Sequence, residues 1–357
     1  MIVIKVGTNV LSDDHGSIDM GTLTTLVEQI ATLKSSGEKI ILVSSGAVGA
    51  GRKELTLTKT LNRVEKRQLW AAIGQPKLLQ KYMHLFEQHD IHVAQILATK
   101  EDFRDRKHYL HMRNCFKALL SENVIPIVNE NDAIAVDELM FTDNDELAGL
   151  VAGMMGANAL YILTNVDGVY DTNPTDPEAK VIAEILPDAT PSLNFASSPR
   201  SSFGRGGMAT KFRMSKRLAS LGIEVLIANG KKPDIINRVY RGEAVGTRFR
   251  KQANSSSVKK WLAYQDRSAQ GTVIVNEGAK QALLQPKKAA SLLPVGVVDI
   301  LSVFKKGDLI NVIDHEGHII ALGKAQYGSD TLEKYLGKNG QKALIHYDYL
   351  VITHERN

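Results

Sequence analysis

The sequence has almost no cysteine and no long hydrophobic run. Cys115 is the only cysteine in 357 residues, so the chain can form neither an internal disulfide nor a cysteine-rich metal cage. We expect its side chain to be buried as a small hydrophobe. No window approaches the roughly 18 apolar residues of a membrane span, and the first residues, MIVIK, lack the pattern of a secretory signal. We therefore expect a cytoplasmic protein without a membrane partner.

Proline, glycine and net charge are also modest. The chain has 10 prolines and 28 glycines beside 43% hydrophobic and 23% charged residues, a globular composition that excludes a long disordered or collagen-like chain. The net charge of +5 would suit an anionic ligand or RNA, but it is spread too thinly for the footprint of a nucleic-acid-binding protein. A chain of 357 residues is long enough for two or three domains.

Apolar runs of strand length alternate with helix-like segments over the first 250 residues. The runs are too uniformly apolar to have a face in water, which indicates a parallel sheet covered by helices on both faces. We predict an α/β domain with an open, mostly parallel sheet. The six runs are Ile2 to Val6, Ile40 to Ser44, His92 to Leu97, Val124 to Val128, Ala159 to Thr164 and Glu224 to Ala228.

Two of the helix-like segments have an amphipathic period. In residues 23–33 the leucines, isoleucine and valine recur at intervals of three and four, which predicts one helix with an apolar stripe. Residues 69–86 have a similar pattern. Because proline interrupts helical hydrogen bonding, we expect Pro76 to divide that segment into two helices.

The alternating pattern stops near residue 250. Residues 251–260, KQANSSSVKK, have the polar, serine-rich composition of a linker. Short β-like runs follow at close spacing, and turn residues such as Gly307 and Gly317 separate them. We predict a first domain over residues 1–250, a linker over 251–262 and a small, mostly β domain over 263–357.

Glycine-rich or polar segments follow three of the predicted strands. They are KVGTN at 5–9, SSGAVGAG at 44–51 and NENDAI at 129–134. The carboxyl ends of parallel strands lie at one edge of a sheet, where ligands bind in open α/β folds. Glycines let the backbone approach an anion, and N–H groups at a helix start point towards it. Together these segments indicate a phosphate-binding edge.

A further glycine-rich segment, GRGGMATK at 204–211, opens a predicted helix. It satisfies the relaxed dinucleotide-binding pattern G-x-G-x-x-A, with Glu224 about 20 residues further on. That fingerprint should directly follow a strand, whereas SPRSS precedes it here and Glu224 begins a strand. The context therefore argues against a dinucleotide site. The pattern G-x-x-x-x-G-K-[ST] does not occur, which excludes a P-loop.

These segments, with DND at 143–145 and LTNVDGVY at 163–170, stand in an order that resembles the amino acid kinase family. NENDAI and GGMATK, without a regulatory tail of the aspartokinase kind, are most similar to the members that phosphorylate the side-chain carboxylate of glutamate. SLLPVG at 291–296, FKKGD at 304–308 and GKAQY at 323–327 resemble a PUA domain. The resemblance covers essentially the whole chain.

The resemblance implies transfer of the γ-phosphoryl group of ATP to L-glutamate, giving L-glutamyl 5-phosphate in the first step of proline biosynthesis. The acceptor carboxylate is already ionised at neutral pH, so the reaction needs no general base and depends on positioning and on cations around the phosphoryl group. The family's catalytic positions correspond to Lys5, Lys211 and Asp145, where the aspartate orients the two lysines. Magnesium is implied by ATP, and we assign it no protein ligand.

The same resemblance implies the binding residues. A carboxylate at Asp132 suits the α-ammonium group of glutamate, which an N-acetylated substrate lacks. Asp132 could instead cap a turn, and Asn144 could cap a helix that begins at Asp145. The implied glutamate positions are Ser45, Asp132 and Asn144. The implied ATP positions are Lys5, Gly7, Thr164, Asn165, Arg205, Gly206, Gly207, Met208, Ala209, Thr210 and Lys211. The family usually has aspartate at the position of Asn165 and threonine at the position of Arg205. These two departures bear on the contacts to adenine or ribose and not on the reaction, because neither removes a lysine.

The resemblance also implies a homo-oligomer, inhibition by proline and hand-over of the product to glutamyl-phosphate reductase. One alternative is another amino acid kinase that acts on N-acetylglutamate, aspartate or a nucleoside monophosphate, against which NENDAI and the PUA-like region argue. The other is an RNA-binding protein, because PUA-like domains often accompany RNA-modifying enzymes. The region after position 253 has 13 basic and 10 acidic residues and no dense basic cluster, so its charge does not favour RNA.

Overall fold

The protein divides into two compact units, Met1–Asn254 and Ser255–Asn357. The structure is a computed structural model. It describes residues 1–13, 15–104, 106–135, 141, 143–173, 176–187, 207–252, 269–285 and 290–352, with only the backbone at 106 and 348. The predicted linker lies outside the described residues except at positions 251 and 252. Among the described helices, none is both long enough and apolar enough to cross a membrane.

Eight described strands form the sheet of the first unit, in the order β3-β4-β2-β1-β5-β7-β8-β6. All neighbours are parallel except β7 and β8, as the uniformly apolar runs predict. The central strand β1 pairs with β2 on one side and with β5 on the other. The strands are β1 Ile2–Val6, β2 Ile40–Ser44, β3 Val93–Ala98, β4 Ile125–Glu130, β5 Ala159–Thr164, β6 Glu184–Ile185, β7 Glu224–Asn229 and β8 Thr247–Phe249.

Helices cover both faces of this sheet. Alternate side chains of β1, including Ile2 and Ile4, join an apolar core with α2, α4 and α9, while α7 packs on the other face beside α6 and α8. The helices are α1 Thr8–Leu11, α2 Met20–Ser35, α3 Ala47–Glu54, α4 Arg63–Glu87, α5 Lys100–Arg104, α6 Arg106–Ser121, α7 Asn144–Met155, α8 Met208–Ser220 and α9 Ile235–Tyr240. The architecture confirms the predicted fold class.

The prediction that Pro76 divides two helices is wrong, because α4 continues through it. A proline inside a helix loses one hydrogen bond and costs roughly 3 kcal/mol. The helix gains more than this elsewhere. A capping box joins Asn62 and Glu65 at its start, and Tyr82 and Phe86 are buried beyond the proline, each worth roughly 1.5 to 3 kcal/mol.

Cys115 is exposed, so the expectation of a buried thiol is also wrong. It lies on α6, whose neighbouring residue Phe116 is fully buried together with Leu120. Residues four apart share a helix face, and the position before Phe116 is rotated away from it. The exposed thiol therefore follows from the helical phase.

The second unit contains a five-stranded sheet in the order β10-β9-β11-β12-β13. All its pairs are antiparallel except β9 with β11. Its own apolar core includes Val273, Ile310 and Leu332, in agreement with the predicted small β domain. The strands are β9 Gly271–Val275, β10 Val297–Ser302, β11 Leu309–Ile313, β12 Ile319–Lys324 and β13 Leu350–Ile352, and the helices are α10 Glu277–Leu284 and α11 Ser329–Tyr335.

Candidate active site

The carboxyl ends of β1, β2 and β5 meet at one edge of the first sheet. The strand register places Val6 beside Ser44 on one side and Leu163 on the other. Gly7 follows directly, and a Cβ atom there would lie 3.2 Å from the carbonyl oxygen of Leu163 and 3.3 Å from Nζ of Lys5. A larger residue would therefore crowd both neighbours. This edge is also the point where strand order reverses, where open sheets bind ligands.

Lys5 and Lys211 converge on the carboxylate of Asp145. Lys5 extends from β1 and its Nζ lies 2.7 Å from Oδ1 of Asp145, while Nζ of Lys211 on α8 lies 2.9 Å from Oδ2. The side chain of Asp145 is only 1% exposed, and those of Lys5 and Lys211 are 7% and 12% exposed. Burial of charge is tolerated because each oxygen has its own cation.

The charges in this cluster control the protonation of Asp145 and Lys211. Burial acts to raise the pKa of Asp145, but the charges of Lys5 and Lys211 and their hydrogen bonds outweigh it and hold that pKa below its usual range. Burial acts to lower the pKa of Lys211, and the charge of Asp145 raises it above its ordinary value. The cluster therefore keeps the carboxylate of Asp145 ionised and Lys211 charged at neutral pH.

Asp143 caps α7 just before this cluster. Its Oδ1 accepts hydrogen bonds from the backbone N–H groups of Asp145 and Glu146, both at 3.0 Å. Its Oδ2 is buried without a hydrogen-bond partner among the described residues. Burial and the charge of Asp145 raise the pKa of Asp143 to about 6. The alternative that Asn144 caps this helix is wrong, since α7 begins at Asn144 and Asp143 caps it.

The side chain of Asn144 is free from capping and reaches three groups at the ends of β2 and β4. Its Nδ2 donates to the carbonyl oxygen of Ser44 at 3.2 Å, to Oγ of Ser45 at 2.9 Å and to Oδ1 of Asn129 at 2.9 Å. The buried Gln75 of α4 supports this group, because its Oε1 accepts from Nδ2 of Asn129 at 3.3 Å. Two of the three sequence-predicted glutamate positions, Ser45 and Asn144, are thus in direct contact.

Asp132, the third predicted glutamate position, lies beyond the end of β4 and pairs with Arg67 of α4. Nε of Arg67 donates to Oδ1 of Asp132 at 2.8 Å, and Nη2 donates to the same oxygen. Nη2 also lies 3.0 Å from Oε2 of Glu130. Asp132 is an ion-pair partner here and makes no described turn-capping bond. The sequence gives no sign of Arg67, because its partners are 63 and 65 positions away.

The predicted nucleotide positions Thr164 and Asn165 lie at the end of β5, which pairs with β1 on the side opposite β2. Thr164 ends β5, and its Oγ1 lies 3.4 Å from Oδ1 of Asn165. Gly207 precedes α8 and has no side chain to cap it. Within the described residues, no side-chain cap reaches the N–H groups of the first turn at Met208, Ala209 and Thr210. Helix starts of this kind favour anions. Arg205 and Gly206 lie outside the described residues.

A cavity of about 290 Å³ lies past the end of β5 and β7 and was not identified from the sequence. Asp167, Asn229 and Lys232 are among its lining residues. The carboxylate of Asp167 accepts from Nδ2 of Asn229 at 2.9 Å and from Nζ of Lys232 at 2.7 Å. Asp167 belongs to the LTNVDGVY segment. Its position directly after a predicted strand is the sequence feature that could have identified it as a candidate site residue.

Two family profiles match this chain. That of the amino acid kinase family matches residues 1–229, and that of the PUA domain matches residues 271–346. The chain belongs to the amino acid kinase family and carries a PUA domain. The kinase profile covers every described residue of the Lys5, Asp145 and Lys211 cluster.

Individual relatives within this family share the name of one enzyme. The chain is 47% identical to the glutamate 5-kinase of Bacteroides thetaiotaomicron over 98% of both chains. It is 45% identical to the glutamate 5-kinase of Chlorobaculum tepidum over 99% of this chain and 97% of that one. Among solved structures, the isopentenyl phosphate kinase of T. acidophilum aligns with 70% of this chain and all of its own, at a TM-score of 0.51 and 16% identity. This structural likeness supports the fold alone.

Proposed function

We propose that the protein is an ATP-dependent kinase that phosphorylates the side-chain carboxylate of L-glutamate, giving L-glutamyl 5-phosphate and ADP. This is the first step of proline biosynthesis. The observation that carries the proposal is the convergence of Lys5 and Lys211 on Asp145 at the strand-order reversal. Relatives that are 45 to 47% identical over nearly the full chain bear the name of this activity.

The charges of the cluster suit phosphoryl transfer to a carboxylate. An oxygen of the substrate carboxylate attacks the γ-phosphorus, the bond from that phosphorus to the β–γ bridging oxygen breaks, and ADP leaves. The acceptor is already ionised, so no proton has to be removed. Negative charge spreads over the transferring group, and two fixed ammonium groups stabilise it. Asp145 is the positioning residue that holds the two cations together despite their repulsion.

The two substrates approach this cluster from opposite sides. On one side, Ser45, Asn144 and Asp132 bind the acceptor, with Asp132 facing its α-ammonium group. On the other side, Gly7, Thr164, Asn165 and the segment from Arg205 to Lys211 bind ATP. Support comes from the hydrogen bond between Asn144 and Ser45 and from the start of α8, where Gly207 supplies no side-chain cap. Asp167, Asn229 and Lys232 extend the nucleotide side.

Magnesium would accompany bound ATP and would be held mainly by phosphate oxygens and water. The chemistry of the edge fits this ion, because Oδ2 of Asp143 is a buried carboxylate oxygen without a protein partner among the described residues. Asp143 would hold the ion if a protein ligand is used. When bound, the ion neutralises phosphate charge, and the lysines act on the transferring group independently of it.

Further properties extend the proposal from the family likeness. The protein works in the cytoplasm as a homo-oligomer, proline inhibits it, and it hands its unstable acyl phosphate to glutamyl-phosphate reductase. Size-exclusion chromatography with light scattering tests the oligomer, and glutamate kinetics with and without proline test the inhibition. A monomer, or identical kinetics in both conditions, would remove the corresponding property and leave the reaction untouched.

A panel of acceptors tests the reaction. The protein is incubated with ATP, magnesium, hydroxylamine and one acceptor at a time, and both the hydroxamate formed from the acyl phosphate and the ADP released are measured. We expect product with L-glutamate and background values with N-acetylglutamate, aspartate and uridine monophosphate. ADP release with uridine monophosphate, or hydroxamate from N-acetylglutamate instead of glutamate, would contradict the proposal.

A further inference from the structure

Arg67 is partly buried beside two acidic groups at the glutamate side of the site. It comes from α4, its side chain is 22% exposed, and it contacts both Glu130 and Asp132, which are 3% and 7% exposed. Glu130 also accepts from the backbone N–H of Phe141 at 2.8 Å, whereas loss of the guanidinium would take from the nearly buried Asp132 its described cation, which is costly. The fixed position of Arg67 is therefore part of the site's construction.

The hydrogen bonds of this group leave two atoms available. Both donors that reach Asp132, Nε and Nη2, are directed at the same oxygen, Oδ1. Within the described part of the chain, no bond is recorded to Oδ2 of Asp132 or from Nη1 of Arg67. One carboxylate oxygen and one end of the guanidinium therefore remain for a ligand.

These two atoms have the charges that an α-amino acid needs. An α-amino acid at neutral pH carries an ammonium and a carboxylate on the same carbon. An aspartate oxygen binds the ammonium and a guanidinium N–H binds the carboxylate, and such charge-assisted bonds are the stronger kind. The existing ion pair sets the two groups side by side before substrate arrives, which reduces the ordering cost of binding.

We propose that Arg67 binds the α-carboxylate of the acceptor while Asp132 binds its α-ammonium group, so that the ion pair selects a free α-amino acid. The inference rests on the proposed function and deepens it, because it names a specificity residue for the same site. Arg67 acts on the end of the substrate remote from the phosphoryl group. It therefore affects acceptor binding and leaves the chemical step to the lysines.

Two acceptor analogues separate the two contacts. Isoglutamine, the α-amide of glutamate, keeps the ammonium and the side-chain carboxylate but loses the α-carboxylate charge. Glutarate keeps both carboxylates and loses the ammonium. We expect the wild-type protein to prefer glutamate over each analogue at least 10-fold in kcat/KM, on the scale of one charge-assisted hydrogen bond.

The variant Arg67→Gln is expected to raise the KM for glutamate roughly 10- to 100-fold, with the KM for ATP unchanged and kcat within a few-fold. Its preference for glutamate over isoglutamine should fall to about 1 to 3, because the contact that isoglutamine lacks is already absent. Its preference for glutamate over glutarate should persist. The control is Arg63→Gln, an exposed arginine one turn earlier on α4, which should leave all these values unchanged.

A purely structural Arg67 would predict a different pattern. Arg67→Gln would then reduce activity or stability while the preference for glutamate over isoglutamine stayed at its wild-type value, and this would overturn the inference. If Arg67→Gln fails to fold, Arg67→Lys keeps the charge and should lose part of the isoglutamine preference. A wild-type protein that uses isoglutamine as well as glutamate overturns the inference without any variant. A protein that phosphorylates no acceptor refutes the proposed function instead.

Discussion

Lys5, Asp145 and Lys211 form a charge cluster that is useful only when a further anion is present. The two ammonium groups are nearly buried and share the carboxylate of Asp145, and Asp143 places a second carboxyl group beside them. Water is scarce there, so the ammonium groups are poorly solvated and attract a further anion strongly. The transferring phosphoryl group supplies that anion, and its charge is most widely spread in the transition state.

Removing either lysine should therefore reduce turnover more than ATP binding. Lys5→Ala or Lys211→Ala should lower kcat roughly 10²- to 10³-fold, the magnitude for loss of one preorganised donor. Both lysines act on one group, so the double variant should lose less than the sum of the two single losses in free energy. Steady-state ADP release measures these effects.

Lys53→Ala is the control for this series, because Lys53 is exposed at the end of α3. It should keep full turnover. Circular dichroism melts exclude unfolding as the cause of any loss. Near-normal turnover in either Lys5→Ala or Lys211→Ala would contradict the assigned roles.

Asp143 gives a pH-dependent prediction for stability. Burial, together with the charge of Asp145, raises its pKa from 3.8 to about 6, so the folded state holds its proton more tightly than the unfolded state. Its stabilising contribution is full below pH 3.8 and is lost as pH rises through 6. Asp143→Asn keeps an oxygen that can cap α7. Its amide does not ionise, so the variant does not lose free energy of unfolding as pH rises. The variant should gain about 3 kcal/mol at pH 8 and about half of that at pH 5.

Asp19→Asn is the matched control, since Asp19 caps α2 in the same way with its Oδ1. Hydrogen bonds from Thr22 lower the pKa of Asp19, so both states are ionised between pH 5 and 8. Its effect on stability should therefore be equal at the two pH values. Urea unfolding at pH 5 and pH 8 measures both variants. A gain for Asp143→Asn that does not grow with pH would refute the assignment.

At the scale of elements, the crossing of α3 over α4 depends on two glycines. A Cβ atom on Gly51 would lie 1.8 Å from the carbonyl oxygen of Trp70, and one on Gly74 would lie 1.7 Å from that of Ala47. These are backbone atoms that cannot rotate away. The contact brings the start of α3, next to Ser45, against the helix that carries Arg67 and Gln75. The crossing thus joins the phosphate-binding edge to the glutamate side.

Gly51→Ala should separate these helices and destabilise the first unit by about 3 kcal/mol, at the upper end for overpacking. The urea midpoint measures the loss, and the KM for glutamate should rise with it. Gly21→Ala on the exposed first turn of α2 is the control, and it should be neutral or stabilising by up to about 1 kcal/mol. An unchanged midpoint for Gly51→Ala would mean that the helices do not cross so closely.

The elements differ in how well the sequence predicts them. The six apolar runs became strands within two residues of their predicted bounds, because burial on both faces leaves a continuous hydrophobic signal. The prediction that Pro76 ends a helix is wrong, because the burial of Tyr82 and Phe86 outweighs the hydrogen bond that the proline removes. The site residues also differ in how well the sequence predicts them. The resemblance to family motifs identifies Lys5, Asp145 and Lys211 as candidate catalytic residues. The sequence around Arg67 and Gln75 does not identify them, since their partners come from another element.

At the scale of the whole molecule, all the residues assigned to chemistry belong to the first unit. Each unit has its own apolar core, around Ile4 in the first and Val273 in the second. A chain ending after residue 254 should therefore fold and keep its glutamate-dependent ATP turnover within a few-fold of the full chain. A shortened chain that melts cooperatively but has no activity would show that the second unit is needed for catalysis.

The central claim is that the side-chain carboxylate of glutamate attacks ATP, and an oxygen label tests it most directly. Glutamate carrying ¹⁸O in that carboxylate is converted with ATP, and the product is left to cyclise by attack of its α-amine on the acyl carbon. The released phosphate keeps the oxygen that bridged carbon and phosphorus. We predict one ¹⁸O atom in that phosphate by mass spectrometry. Phosphate without label would mean that water attacked ATP, and would contradict the account.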